Sequence, residues 1–477
     1  LRQSRQFQFL EHRGFSLDWL HHFLGVIPLE TVRVEQRVNI MSDVFSPLRA
    51  RVEMLRLSAP IGRVMAISGS VVQVSGLDRC CAIGDLVQIG PVAGEVIAMS
   101  GGHQTVLPEA GLAGLSLGAE VRHVGALGLA PDNHWLGRIV DPRGRPLDGR
   151  PLFPGPVQRR LETPPPAAVR RRRMGERLNT GKIAFDTLLP LVRGQRMGLF
   201  AGSGVGKSSL LGSFARHVPA DVVVVALVGE RGREVRAFAE NVLGAKGLAR
   251  SVIMAATSDQ SPLLRRRCAL SAMTVAEHFR DQGLHVLLLV DSVTRFAEAH
   301  REIALAAGES ASLRGYPPSL QQAIMAMAER AGPGADGQGD ITAIFSVLVA
   351  GSDMDEPVAD ILRGVLDGHA VLDRRIAERG RFPALDVLRS VSRALPEAAS
   401  PEENRMIADA RDLLGVWDRV EMMVQAGLYQ KGTDPAVDRA LRIWPLLDRL
   451  IGDDAPGGVA QSFRQLQACL AGQSQTH

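Results

Sequence analysis

Apolar positions along the chain change their spacing twice, and each regime predicts a different kind of element. From Gly62 the runs are short and alternating: Arg63-Val-Met-Ala-Ile, Val71-Val-Gln-Val, Leu86-Val-Gln-Ile and Glu95-Val-Ile-Ala-Met, with glycines between them. Period-two alternation broken by turn formers predicts a small antiparallel barrel reaching about Leu127. From residue 180 to about 393, apolar runs alternate with helical segments, the pattern of an α/β domain with a mostly parallel sheet. Its candidate strands are Met197–Phe200, Asp221–Val228, Ser251–Ala255, Val286–Val290 and Ile341–Ala350. Beyond Pro396, Met406, Ala410, Leu413, Leu414 and Trp417 recur at helical spacing, which predicts a helical bundle with Trp417 and Trp444 in its core.

The segments between these regions read as punctuation. Gly137 to Gly149 is rich in turn formers and closes the barrel unit. Pro164-Pro165-Pro166 followed by Arg170–Arg173 predicts a stiff, exposed connector with solvated arginines. Residues 1–40 look unlike the rest, and Met41 heads a fresh segment that reads as an alternative start. Arg49 to Leu57 fits either a short basic helix or a solvated leader.

Composition narrows the classes. The chain has 477 residues, room for roughly three domains, with an ordinary 45% hydrophobic and 22% charged content. Its 55 basic and 51 acidic residues give a net charge of only +4, against a dedicated nucleic-acid binder. Residues 51–130 contain no Phe, Tyr or Trp, so the barrel lacks a base-stacking platform. Cys80, Cys81, Cys268 and Cys469 show no metal-ligand or CxxC spacing, which fits a reduced cytosolic setting. Apolar runs such as Val222–Val228 fall far short of a membrane span, and Glu11, His12, Arg13 and Asp18 interrupt any signal-like start. A cytoplasmic protein that visits a membrane only through partners is expected.

The chemistry centres on Phe200 to Leu211. Ala201, Gly202, Ser203, Gly204, Val205, Gly206, Lys207 and Ser208 form a phosphate-binding loop, with Ala201 in place of the usual first glycine and Ser209 following. Its three glycines let several N–H groups converge on one anion, and the next helix points its positive end there. Lys207 is expected to reach the β/γ-phosphates of ATP and Ser208 to hold Mg²⁺. Hydrolysis further needs a carboxylate for the metal and a group to orient water. Asp291 ends the run His285–Val290, as a metal-holding acid at a strand's carboxyl end does. Glu230 follows Val222–Val228; from spacing alone it fits a water-polarising carboxylate or a salt bridge to Arg231 or Arg233 equally well.

Several motifs carry a family resemblance. Gly229-Glu-Arg-Gly-Arg-Glu-Val235, the 311–319 stretch Ala-Ser-Leu-Arg-Gly-Tyr-Pro-Pro-Ser and Glu329-Arg-Ala-Gly332 resemble the rotary ATPase catalytic subunits. Arg193–Ser208, Asp291-Ser-Val-Thr-Arg-Phe, Arg301-Glu-Ile-Ala-Leu, Asp353–Asp360, Ile361–Arg375 and Gly427–Pro435 are most similar to the flagellar protein-export ATPases and their type III secretion relatives. The resemblance runs from about Gly62 to Leu450. It implies an α/β fold: an N-terminal small β-barrel, a central P-loop domain of the RecA-like kind and a C-terminal helical bundle. The corresponding division is 1–58 (leader or partner-binding segment), 59–150 (barrel), 151–179 (linker), 180–394 (ATPase domain) and 395–477 (helices).

The same resemblance implies roles for particular residues. Glu230 activates water, Arg393 reaches the γ-phosphate of the neighbouring subunit, Phe382 stacks on adenine and Arg231 lies near the phosphates. It also implies a homohexamer working with an export gate, a stator-like regulator, stalk proteins, export substrates and chaperones, peripheral to the inner face of the cytoplasmic membrane, with no nucleic acid. The wording around the phosphate loop and Gly229–Val235 favours a flagellar over a virulence-type protein. A rotary synthase subunit is the more distant alternative, since Tyr429-Gln-Lys-Gly-Thr-Asp-Pro points to export. An RNA translocase and a scaffold that does not turn over are disfavoured by the aromatic-free barrel and by the intact Lys207, Glu230, Asp291 and Arg393. Two departures bear on coupling between subunits: Leu320–Met327 replaces a usual Lys-Leu-Pro segment, and Ser352 stands where an acid is common.

Overall fold

The computed structural model describes residues 60–349 and 354–473. The leader with Met41, the Arg49–Leu57 stretch and Ser352 lie outside the described residues.

Six strands, β1 (Ile61–Ser68), β2 (Val71–Ser75), β3 (Asp85–Ile89), β4 (Val92–Ser100), β5 (His103–Pro108) and β6 (Glu120–Ala126), close into an antiparallel barrel of order β1-β2-β5-β4-β3-β6. Their alternation does the work: Val72, Val74, Val87, Ile89, Val106 and Val121 fill the interior at 0% exposure. A short ribbon, β7 (Gly128–Leu129) with β9 (Arg159–Arg160), follows the barrel and flanks β8 (Arg138–Val140) in sequence.

The central domain is a nine-stranded sheet of order β17-β16-β10-β15-β13-β11-β12-β8, with β14 paired to β15. The strands are β10 (Arg196–Ala201), β11 (Val222–Glu230), β12 (Ser251–Thr257), β13 (Val286–Asp291), β14 (Gly332–Pro333), β15 (Asp340–Leu348), β16 (Gly368–Leu372) and β17 (Leu385–Ser392), besides β8. From β16 through β8 the path is parallel, while β17 and β14 run antiparallel to their neighbours. Both faces are covered, which is why Val222–Val228 is apolar without alternation. Val223, Val225 and Leu227 pack on one side and Val222, Val224, Ala226 and Val228 on the other.

The longer helices are α1 (Lys207–His217), α2 (Pro262–Arg280), α3 (Val293–Ala306), α4 (Ser319–Arg330), α5 (Pro357–Val365), α6 (Pro401–Gln425), α7 (Pro435–Gly452) and α8 (Gly458–Leu470). α6 opens with Ser400 and Glu403 in a reciprocal capping box. The departure segment Leu320–Met327 lies in α4, where Leu320, Ile324 and Met327 are buried.

Three expectations are corrected. The turn-rich Gly137–Gly149 stretch also contributes β8, pairing Arg138 with Val252 and Val140 with Met254 at the edge of the large sheet. Arg138 grips Asp148 at 2.7 and 2.8 Å, tying β8 to the far side of the turn. The Arg170–Arg173 run is not uniformly solvated: Arg172 Nη2 meets Asp340 Oδ1 at 2.6 Å, and Arg171 donates to Ala331 O at 3.2 Å. Trp417 and Trp444 are half-buried, stacked with ring centroids 4.2 Å apart beside a cavity of about 370 Å³, while Ile407, Ala410, Leu413, Ala440 and Leu447 form the buried seam.

The barrel is held to α2 by buried charge. Arg267, 2% exposed, donates to Glu95 Oε2 from Nε at 3.1 Å and also pairs with Glu109, which Arg143 engages as well. Removing one member of a buried pair leaves uncompensated charge, costing about 3–5 kcal/mol. Arg267→Leu is expected to destabilise the protein by about that amount, read as a lower urea midpoint for loss of barrel structure, whereas Arg122→Leu on the exposed β6 surface changes it by less than about 1 kcal/mol.

Candidate nucleotide-binding site

β10 delivers the chain to the site. Met197, Leu199, Phe200 and Ala201 are at most 1% exposed, so the strand is locked, and the backbone then turns sharply through Gly202–Gly206. Gly204 and Gly206 take φ of 79° and 85°, a conformation that side chains disfavour, while Val205, 1% exposed, pins the loop from beneath. α1 begins at Lys207 with no side-chain cap, which leaves its first N–H groups and its positive dipole end for an anion.

The parallel register brings the acids to the same end. Leu227 of β11 lies opposite Asp291 of β13, so Asp291 and Glu230 both emerge at the carboxyl edge beside the loop. Asp291 is 3% exposed, accepts from Ser346 Oγ at 2.7 Å and forms an ion pair with Lys207. Glu230 is half-buried, and its carboxyl is pushed up to about 7, first by desolvation, then by a hydrogen bond with Glu234 and the charge of Asp291, against the pull of Lys207. Of the two readings its spacing left open, a salt bridge to Arg231 or Arg233 does not form among the described residues. Arg231 is instead 68% exposed, with Nε 4.0 Å from Glu234 Oε1.

Phe382, 50% exposed, stands at the rim: a Cβ on Gly206 would lie 3.0 Å from its Cδ1. Arg393 is elsewhere. Because β17 runs antiparallel, Ser392 pairs with Gly368 at the start of β16, so Arg393 emerges at the end of the sheet opposite the phosphate loop. It is exposed, donating from Nη2 to Arg363 O at 3.2 Å. Loop, Lys207, Ser208, Ser209, Glu230, Asp291 and Phe382 therefore converge within one chain, and Arg393 does not join them. The oxygen donors of Ser208 and Asp291 suit a hard cation such as Mg²⁺.

Sequence reasoning missed three contributors. Glu234 sits in the quoted Gly229–Val235 motif, four residues past Glu230. Ser346 lies inside the β15 run. Arg295, in the Asp291-Ser-Val-Thr-Arg-Phe stretch, covers Gly229, whose added Cβ would meet its side chain at 3.3 Å, and it bonds Glu298 at 2.9 Å.

A P-loop ATPase is the class these elements define. Residues 181–392 match the family model described as ATP synthase alpha/beta family, nucleotide-binding domain, and residues 399–468 match the T3SS EscN ATPase C-terminal domain. The chain is 44% identical over 420 residues to the flagellum-specific ATP synthase of Caulobacter vibrioides, covering 85% of this chain and 94% of that one. It is 43% identical over 416 residues to the flagellum-specific ATP synthase of Salmonella typhimurium, covering 84% and 91%. The assembled ATPase EscN of the enteropathogenic E. coli type III secretion system superposes with a TM-score of 0.81 at 36% identity, over 86% of this chain and all of that one. EscN in complex with its central stalk EscO gives 0.77 at 36% identity, again over 86% of this chain and 100% of that one. The chain belongs to the flagellum-specific ATP synthase family.

Gly206→Ala tests the loop geometry. Left-handed strain of about 1–2 kcal/mol corresponds to about a 5–30-fold loss. ATP affinity, read by equilibrium titration with a fluorescent ATP analogue, is expected to fall by that factor while the fold, followed by circular dichroism, is retained.

Proposed function

We propose that this chain works as a homohexameric ring that hydrolyses Mg-ATP to deliver or unfold export substrates during flagellum assembly. The observation that carries the ring is Arg393. Glu230, Asp291 and Lys207 face one end of the sheet and Arg393 the other, so an arginine can complete a phosphate site only by reaching from one copy to the next. The likeness to assembled EscN supports the same geometry.

Within each site Lys207 and the loop N–H groups hold the β/γ-phosphates, and Phe382 stacks on adenine. Ser208 and Asp291 would hold Mg²⁺, which would neutralise phosphate charge. Glu230 takes the proton of the attacking water. A second copy's Arg393 meets the charge that develops on the transferred group, a task its permanently charged planar fork suits. Arg231 lies beside the phosphates in a supporting part.

The partners follow the same reading: a stalk, as EscN has in EscO, with an export gate, a stator-like regulator, substrates and their chaperones. No described helix is long and apolar enough to cross a membrane, and we place the ring in the cytoplasm, held at the inner membrane face by those partners. Identities of 44% and 43% to flagellar proteins against 36% to EscN favour flagellar over virulence-type export.

Specific Mg-ATPase activity is expected to rise steeply with protein concentration, and Glu230→Gln and Arg393→Ala each to lose about 10²-fold or more. Mixing the two inactive variants pairs an intact Glu230 with an intact Arg393 at some interfaces, so activity returns; no recovery on mixing would overturn the shared site.

The pH profile follows from Glu230. With its carboxyl raised to about 7, it is protonated and unable to accept a proton below that point, so kcat/KM is expected to fall as pH drops through about 7. Glu234→Gln removes a charge that raises Glu230, and the acid limb should then move to lower pH. An unmoved limb would separate Glu230 from the rate.

A further inference from the structure

The barrel brings together three side chains that the nucleotide chemistry does not use. Cys81 lies in the turn before β3, Asp85 opens β3, and His123 comes from β6 next to it. One donor atom from each lies within 4.8 Å of the others, and the residues are 9%, 9% and 5% exposed. The turn is already shaped around the group: Cys81 N donates to Leu77 O at 3.0 Å, and Ala82 N donates to Asp85 Oδ2 at 2.9 Å. His123 Nε2 faces Asp85 Oδ2 at 2.8 Å, and its Nδ1 has no partner among the described residues.

A buried imidazole with one nitrogen unpaired is an exception to the rule that interior polar atoms find partners. A cation resolves it. Imidazole ligates through one nitrogen while the other carries a proton, and an adjacent carboxylate either ligates beside it or accepts that proton. A simple His–Asp hydrogen bond accounts for one ring nitrogen and leaves Nδ1 unpaired, while the Cys81 thiol makes only a long contact to Ala82 O at 3.9 Å. We propose that Cys81 and His123 hold a zinc ion, His123 through Nδ1 while Asp85 accepts its Nε2 proton, and that the ion clips the Leu77–Asp85 turn to β6 and so fastens one side of the barrel. The sulfur and nitrogen donors suit borderline-soft Zn²⁺ and not Mg²⁺. Cys80 is exposed, with its Sγ directed to Leu77 O at 3.4 Å, so the remaining positions fall to water. No sequence spacing announces the site, because His123 is distant along the chain and arrives only through the β3–β6 pairing that sets Val87 opposite it.

The test uses the full chain, reduced and freed of metal, titrated with Co²⁺. A thiolate-to-cobalt charge-transfer band in the near ultraviolet is expected to saturate at one equivalent and to bleach when Zn²⁺ is added. Co²⁺ at the phosphate loop meets only oxygen donors and gives no such band, so the readout is independent of ATPase activity. Cys81→Ser and His123→Ala should abolish the band, and Cys80→Ser should keep it. Absence of the band in the wild-type chain overturns the proposal whatever the variants do. So does a band that survives Cys81→Ser or disappears with Cys80→Ser. Circular dichroism on each variant separates loss of the site from loss of the barrel.

Discussion

Lys207 and Asp291 face each other at the carboxyl ends of two strands separated by a third, and that ion pair organises the centre of the molecule. Each is held by a different constraint: Lys207 by the loop and α1, Asp291 by β13 and the Ser346 hydroxyl. A carboxylate 3% exposed is tolerated only because it is paired and hydrogen-bonded. The same pair tunes the neighbouring acid. Asp291 repels a second negative charge on Glu230, and Lys207 attracts it, so the balance at Glu230 depends on both members staying where the sheet puts them. An ammonium with three donors can satisfy Asp291 and phosphate oxygens together, which makes the pair compatible with an anion in the loop.

The strand register makes this arrangement possible. β10, β15, β13 and β11 are parallel and in step, so their last residues form one edge, and the phosphate loop, Asp291 and Glu230 are edge residues. β17 breaks the pattern by running the other way. One reversed strand places Arg393 and the phosphate loop at opposite ends of the sheet.

How much of this was legible in the chain varied with the distance over which each feature is decided. The phosphate loop is written in consecutive residues whose backbone conformation and chemistry are local, so it was readable, Ala201 included. Glu230 and Asp291 were readable because an apolar run buried on both faces can end in an acid only at its edge. β16 and β17 were absent from the expected strands: Gly368–Leu372 is five residues long with His369 in it, and Leu385–Ser392 mixes Asp386, Arg389 and Ser390 into an edge strand. β8 was hidden among turn formers that Arg138 and Asp148 tie together. Glu234 needed the turn of helix Gly232–Ala237 to fold it back on Glu230, a relation that spacing allows but does not select.

One strand links the two ends. β10 begins at Arg196, whose Nη2 lies 3.0 Å from Asp367 Oδ1 and whose Nη1 lies 2.5 Å from Glu329. Asp367 O in turn accepts the Arg393 N–H at 2.9 Å. Six residues later β10 becomes the phosphate loop, a span of about 20 Å at the usual rise. Arg393 and the phosphate loop are therefore fastened to the two ends of the same rod. That rod is hydrogen-bonded to β15 on one side and β16 on the other. Sliding it would break both ladders and re-face every side chain on it, because a one-residue slip turns a strand over. A displacement at one end of β10 is therefore carried to the other as movement of the whole sheet.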